Sequence, residues 1–562
     1  MDGSEAEEAY DLPVISFNKE YLYGLMKGMD DEKFAEQISK LGFGVESVDK
    51  DSVSVELTAN RLDLLDAVGL ARTLKNFMHK SKRFVYSIAD KDPALEIVVD
   101  KSVKKIRPFI AGLVATGLSL DEQSLVNLIN FSEKFCETYG RERRKIAVGM
   151  HNLDAIKPQL TYRCVKKGKF AALGETEESD YKKIIDSMNK GKQYSALIKS
   201  EKGYTYPELS DAEGTIALIP ILNSERTRVT AETKNLFVDI TGTSAYAVNK
   251  VAELLAGTFM DMGADVRRVR VNYGKTVLDT PLMEERYITI PVARAENEIG
   301  VSIGYNNVIS LANKMGYEAA LIDRKVRFRV PEYRLDVIGE QDVIEDLAIA
   351  YGYDYINPVP VHYSEPGELE EETKFNRKAA GIMLGLGFTE FANSYLTNEE
   401  FNFDKPRLKR DDGTVVIKNP KTEAITIMRT WALPSVLRNL AMSANDKTPQ
   451  NAFELDMVFS VKKKEHVESY HLAAASLDPK ANFNNMKATV EGLLYALGVE
   501  YSITEHSHGS FIDGRCAGIM VDGRNIGFFG EIHPEVLRNF GLGEATVAFE
   551  IDLRALRIRS RT

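Results

Sequence analysis

Residues 326–353 read VRFRVPEYRLDVIGEQDVIEDLAIAYGY, and two periodicities meet inside them. Val326, Phe328 and Val330 alternate with Arg327 and Arg329, the pattern of a strand with one buried face. A helix beginning near Gln341 then places Asp342, Glu345 and Asp346 at i, i+3 and i+4, on one face. Ile344, Leu347, Ala348 and Tyr351 point about the opposite way and can pack. Asp336, arriving from the strand end, reaches the same place as the three acids. Hard oxygen ligands grouped this way suit Mg²⁺, which takes one or two carboxylates and completes its octahedron with water. A solvated acidic face at the start of a helix is the plainer reading, and on spacing alone it outweighs the metal.

The same change from strand to helix recurs outward along the chain. Residues 53–72, VSVELTANRLDLLDAVGLAR, give a strand passing into a helix that carries Leu64, Leu65, Val68 and Leu70, with Asp63 as its candidate cap. KIRPFIAGLVATGL is a buried-strand pattern, followed by a helix over Asp121 to Tyr139. From Gly203 to Gly242, turn signals separate short apolar runs such as TIALIPIL and NLFVDITGT, which predicts a strand-rich domain continuing into a helix over Tyr246 to Met262. From about Asp279 the pattern resets, with YITIPVAR as a strand and a helix through Val308 to Met315. The stretch 357–372, NPVPVHYSEPGELEEE, is rich in proline and acid and marks a domain boundary. Alternating helices and strands continue beyond it, without short-period repeats. The fold class is therefore α/β and α+β, in several domains.

At 562 residues the chain exceeds a single core, and about three to five domains are expected. No window approaches the ~18 uninterrupted apolar residues of a membrane span. The acidic N-terminus, MDGSEAEEAY, lacks the basic and apolar regions of a secretory signal, so no membrane and a cytoplasmic location are expected. Cys136, Cys164 and Cys516 are too far apart for a CxxC pair and read as reduced, buried thiols. A net charge of −11 argues against broad adhesion to nucleic acid while leaving room for local basic patches.

A second polar block is ILNSERTRVTAETKNLFVDITGT, residues 221–243, in which Asn223, Ser224, Arg228, Asp239, Thr241 and Thr243 stand beside short strands and a turn at Gly242. Asp239 is suited to hold a water or a phenolic hydroxyl, the threonines to donate hydrogen bonds, and Arg228 to meet a phosphate. Ordinary loop and turn residues are the plainer reading here too. His151 and Asp154 in VGMHNLDAIK fit a turn or helix cap better than acid–base chemistry. His506 with His508, and Glu531 with His533, have the spacing of paired metal ligands on a strand but lack a third ligand, and structural roles are favoured. The chain has no Walker loop and no HExxH.

Taken together, the blocks ELTANRLDLLDAVGLAR, IRPFIAGLV with GRERRKIAVGMHNLD, the 221–243 segment, VPEYRLDVIGEQDVIEDLAIAYGYDYI, and the tail from FIDGRCAGIMVDGRNIGFFGEIHPEVLRNFGL to VAFEIDL resemble the beta subunit of phenylalanyl-tRNA synthetase, of the archaeal or eukaryotic type. They stand in family order over roughly Val53 to Leu553.

The resemblance implies an α₂β₂ heterotetramer that joins phenylalanine to tRNA(Phe) with ATP, the ATP being used at the alpha subunit. It implies an N-terminal α/β domain over 1–90, an editing domain over 91–274, a magnesium-binding domain similar to winged-helix modules over 275–360, and a class II synthetase-like antiparallel core over 361–562. That core is expected to be inactive for adenylation, since Phe453 and Glu454 are present without the arginine of the class II strand and GFFGEIHPEVL replaces a GxGxxxR element. The editing pocket, which hydrolyses Tyr-tRNA(Phe), falls on Asn223, Arg228, Asp239, Thr241 and Gly242, with Ser224 and Thr243 beside it. The magnesium site falls on Asp336, Asp342, Glu345 and Asp346. The alternatives are an assembly and tRNA-binding scaffold without active editing, and a stand-alone Mg²⁺-dependent hydrolase.

Overall fold

The computed structural model describes residues 14–79, 85–89, 91–200, 203–361, 366–443 and 446–557; the acidic first ten residues lie outside them. The chain divides into two compact units, Met1–Pro360 and Val361–Thr562. No helix among the described residues is long and apolar enough to cross a membrane. All three cysteines are free, with Cys136 and Cys516 buried and Cys164 half-buried.

The first unit opens with a three-stranded antiparallel sheet in which Ser52–Glu56 runs between Val14–Asn18 and Gly44–Val48. Val53 and Val55 are buried and alternate with polar neighbours, so one face packs. The helix that follows is Ala67–Phe77, and its cap is Asp66, which accepts from the Gly69 amide at 3.2 Å. Asp63 does not cap it as expected: the Arg61 guanidinium donates to both its oxygens at 3.0 Å, a pair removed from solvent. Asp63's own carbonyl lies where a Gly69 Cβ would stand, 1.8 Å away.

Arg72 of this helix joins three segments of the unit. Its Nη1 donates to Asp261 at 2.8 Å, and its guanidinium carbon lies 3.8 Å from the centre of the Tyr333 ring. Asp261 also accepts from the Tyr86 hydroxyl at 2.6 Å. A cation buried this way is tolerated because a carboxylate and two aromatic rings meet it.

The largest sheet has ten strands. In order they are Leu222–Asn223, Gly214–Leu218, Tyr206–Asp211, Leu160–Val165, Leu95–Val99, Asp265–Asn272, Phe109–Thr116, Leu236–Gly242 and Ile146–Asn152, with Val277–Thr280 added beside Asp265–Asn272. Leu95–Val99 is parallel to both neighbours. All seven residues of Leu236–Gly242 are buried, and the strand's period of two divides their work. Leu236, Val238 and Ile240 enter the main core with Val251, Leu254 and Leu255 of the helix Ala245–Asp261. Phe237, Asp239 and Thr241 occupy the other face.

A further three-stranded antiparallel sheet places Lys325–Val330 between Arg286–Pro291 and Glu318–Ile322. Val326, Phe328 and Val330 are buried, in keeping with their alternation with arginines. The helices Val292–Ile299, Tyr305–Lys314 and Glu340–Tyr351 belong to the same region.

The second unit is built on a seven-stranded sheet, antiparallel except at its first pair. Its order is Thr389–Glu390, Gln450–Lys462, Glu465–Leu477, Thr546–Asp552, Arg524–Ile532, Phe511–Val521 and Ser502–Glu505. Glu371–Gly385 and Phe483–Leu497 contribute to the apolar cluster containing Phe453 and Phe529, while Leu433–Met442 and Pro534–Phe540 contribute to the one around Trp431.

Candidate functional site

Four of the sequence-derived pocket residues, Asn223, Arg228, Asp239 and Thr241, line one cavity of about 360 Å³. Its walls include Leu128, Ile129, Val148, Met150, Ile221 and Leu222. An apolar wall with a few convergent polar groups is the usual make-up of a small-molecule site. Asp239 and Thr241 lie side by side because the strand repeats every two residues. Asp239 is paired across the sheet with Gly112 on one side and Gly149 on the other.

Each polar group at the floor keeps bonding capacity in reserve. Thr241 Oγ1 accepts from Arg107 Nε at 2.9 Å, and its carbonyl accepts from Arg107 Nη2 at 2.7 Å. The Thr241 hydroxyl proton therefore remains available to a ligand. Asp239 Oδ2 is bonded to His151 Nε2 at 3.0 Å, and among the described residues its other oxygen makes no hydrogen bond. Gly149 makes this possible, since a Cβ there would stand 2.1 Å from Asp239 Oδ2. Asn223 Nδ2 donates to the Met150 carbonyl at 3.2 Å. Arg228 is exposed and meets Glu225 at 3.0 Å. A second cation, Lys190, borders the cavity and is paired with Glu133, which also accepts from Arg143 at 2.8 Å. Burial acts to raise the Glu133 carboxyl, but Lys190 and Arg143 hold it below the ordinary range.

Three sequence-derived pocket residues stand elsewhere. Gly242 is where strands close up, because a Cβ there would lie 2.5 Å from the Lys145 carbonyl. Ser224 caps the short turn Glu225–Thr227 and donates to the Ala171 carbonyl. Thr243 is exposed, its amide bonded to Lys145. His151 is not in a turn: it lies within the strand Ile146–Asn152, fully buried, and Asn152 caps the turn that follows. His151 Nδ1 meets Thr227 Oγ1 at 2.9 Å. Sequence reasoning missed Thr227, Gly149 and Lys190; no local signal marks them, because their relation to Asp239 exists only once distant strands pair.

The acidic helix begins at Glu340, one residue before the expected start, and its carboxylates separate. Asp346 is buried, paired with Arg334 Nη2 at 2.8 Å and hydrogen-bonded by the Tyr317 hydroxyl. Asp336 is held by the same guanidinium at 2.7 and 2.9 Å. Asp342 Oδ2 accepts from the Ile338 and Gly339 amides, both at 2.7 Å, closing the first turn of its helix. Glu345 is exposed and shares with Asp342 an open cleft. Burial works to raise the Asp336 carboxyl, yet Arg334 keeps it below the ordinary range; at Asp346 burial prevails and raises it. Asp342, Glu345 and Asp346 stand at i, i+3 and i+4 of one helix as expected, but the Asp346 carboxylate is buried and committed to Arg334. Among the described residues no three metal-ligating side chains converge. The four carboxylates do not fit a magnesium cage built by this chain.

In the second unit Glu454, Ala473 and Glu550 stand in one cross-strand row. Glu454 is fully buried against Arg429 Nη1 at 2.6 Å and accepts from Asn393 Nδ2 at 2.8 Å. Glu550 accepts from the Leu433 amide at 2.8 Å and meets His471 Nδ1 at 2.7 Å. His508 stacks on Phe528 at 4.4 Å, and burial pulls its imidazole down to about 4. Glu531 accepts from the Phe483 amide at 2.9 Å, and His533 caps the helix Pro534–Phe540. Neither spaced pair forms a metal site.

Comparison with known proteins places two stretches of the chain in described domain families. Residues 288–353 match the tRNA synthetase B5 domain and residues 357–553 the phenylalanyl tRNA synthetase beta chain CLM domain, which marks a tRNA synthetase polypeptide. The chain is 35% identical to the phenylalanine–tRNA ligase beta subunit of Pyrococcus furiosus over 88% of this chain and 90% of that one. It is 34% identical to that of Archaeoglobus fulgidus over 97% and 98% respectively. The crystal structure of an N-terminal fragment of the phenylalanyl-tRNA synthetase beta-subunit from Pyrococcus horikoshii superposes with a TM-score of 0.58 at 30% identity, covering 61% of this chain and 100% of the fragment. The chain belongs to the phenylalanine–tRNA ligase beta subunit family.

Proposed function

We propose that this subunit joins an alpha partner in an α₂β₂ assembly in the cytoplasm, where the partner charges tRNA(Phe) with ATP and this chain hydrolyses Tyr-tRNA(Phe). The observation that carries the reading is the pairing of Asp239 and Thr241 at the floor of an apolar cavity. A phenolic hydroxyl entering there donates to the free Asp239 oxygen and accepts the Thr241 hydroxyl proton. Phenylalanine fills the same volume but leaves both groups unpaired, and a site built around a substrate hydroxyl rejects the analogue lacking it far better than an apolar pocket rejects an added hydroxyl. Arg228 and Lys190, at the cavity, are suited to the phosphates of the acceptor end.

The domain partition proposed is an N-terminal domain to about residue 90, the hydrolytic domain over 91–274, a third domain over 275–360 and a core from 361 onward. The core is non-catalytic in this reading, because Glu454 and Glu550 are already satisfied by the chain's own donors. No step is assigned to Mg²⁺ on the acidic helix. The test is deacylation of tyrosine-charged tRNA(Phe) by the purified complex, with phenylalanine charging by the same preparation reporting assembly. Asp239→Ala and Thr241→Val are expected to abolish release of tyrosine. Normal release by both would leave the scaffold reading standing.

A further inference from the structure

We infer that His151 is a positioning residue for this cavity: its imidazole locks the Asp239 carboxylate with one oxygen turned to the ligand, and Thr227 fixes the imidazole in turn. The inference rests on the tyrosine-release reading above and adds the residues that make Asp239 selective. Asp239 and Thr227 both line the cavity, while His151 sits behind them without exposure. His151 therefore acts through Asp239 and not on the ligand.

The hydrogen bonds fix the direction of the relay. Thr227 has one hydroxyl proton and two acceptors in reach, His151 Nδ1 at 2.9 Å and the Ser224 carbonyl at 3.4 Å. The Asp239 carboxylate can only accept, so the ring hydrogen resides on Nε2, and Nδ1 is left as the acceptor of the Thr227 hydroxyl. Nε2–H then donates to Asp239 Oδ2 at 3.0 Å. The ring cannot turn away, because it is stacked on Phe237 with centroids 5.8 Å apart and planes at 26°. With Oδ2 committed, the carboxylate is held in one rotamer and its other oxygen presents a lone pair where the phenol arrives. A carboxylate free to rotate would lose this preorganisation, and the loss would fall on substrates that carry a hydroxyl.

The test compares tRNA(Phe) charged with tyrosine and with 4-fluorophenylalanine, which has nearly the same shape but no O–H to donate, using the assembled complex under single-turnover conditions. His151→Phe keeps the stacking and removes both hydrogen bonds. It is expected to slow tyrosine release by roughly 10- to 100-fold, the equivalent of one charge-assisted hydrogen bond, while the slow release of 4-fluorophenylalanine stays where it was. His151→Gln, whose amide can donate to Asp239 and accept from Thr227, is expected to recover most of the loss, and Thr227→Ser to retain the wild-type rate where Thr227→Val does not. Equal loss on both substrates would mean that His151 only supports the fold, and an unchanged tyrosine rate in His151→Phe would overturn the inference directly. Asp239→Ala, run alongside, separates the cases: if it is inactive while His151→Phe is normal, only the positioning role fails; if it too is normal, the cavity is not the tyrosine site.

Discussion

Substituting Gly149 tests the cavity without altering any of its polar groups. The added methyl of Gly149→Ala would stand 2.1 Å from Asp239 Oδ2, 3.1 Å from Asp239 Cγ and 3.2 Å from His151 Nε2. A tolerable contact requires the carboxylate to retreat by roughly 1 Å. Both groups are buried in a sheet, so the displacement strains packing at about 1–3 kcal/mol. A 1 Å misplacement of a positioning group costs on the order of 10²-fold in rate, which is the loss expected in single-turnover release of tyrosine from tRNA(Phe). Gly112 supplies the control. It faces Asp239 from the opposite neighbouring strand, but a Cβ there would meet Val269 at 3.1 Å and Phe237 at 3.2 Å, not the carboxylate. Gly112→Ala, whose contacts need only a few tenths of an ångström of relief, should cost less stability and far less activity. Equal rate losses in the two variants, or wild-type release by Gly149→Ala, would refute the placement of Asp239 at the reacting end of the site.

Three further outcomes are expected. Arg334→Met leaves Asp336 and Asp346 as unpaired buried carboxylates and should destabilise the first unit by about 3–5 kcal/mol in urea unfolding; a neutral result would mean that the pair is solvated. Asp342→Ala removes the acceptor of two helix-start amides and should cost about 1 kcal/mol, read as a lower urea midpoint. His508 is held neutral, with Nδ1 accepting from the Ser510 amide at 3.3 Å and burial pulling its imidazole to about 4, against 6.5 when free. Its contribution is therefore complete above about pH 6.5 and lost as pH falls toward 4, up to about 3 kcal/mol. Fluorescence of Trp431, 5.4 Å from His508, should report a steeper acid-dependent loss of stability in the wild type than in His508→Phe.

What could be read from the sequence was what a short window encodes. Val326, Phe328 and Val330 declared a strand by alternation, and Asp239 and Thr241 were visible as polar groups beside short apolar strands. His151 was misread because Asn152 and Asp154 carry turn chemistry, while its own place depends on the pairing of Phe237 with His151. Asp346 was misread for a related reason: periodicity puts it near Asp342, but the buried charge of Arg334, twelve positions earlier, decides where it points. Gly149 is one glycine among 39 until the register sets it against Asp239. Local pattern reveals elements and candidate groups; distant pairing decides which groups meet.

The Arg72 junction bears on how the molecule comes apart. Cutting the chain between residues 79 and 85 would withdraw a guanidinium from the Asp261 carboxylate and from the face of Tyr333. Neither fragment keeps the counter-charge that makes its half of the junction soluble in the protein interior. Amide protons of Ala67–Phe77 and Ala245–Asp261 should consequently exchange with deuterium in a single cooperative opening, the N-terminal and hydrolytic domains coming apart together through this junction.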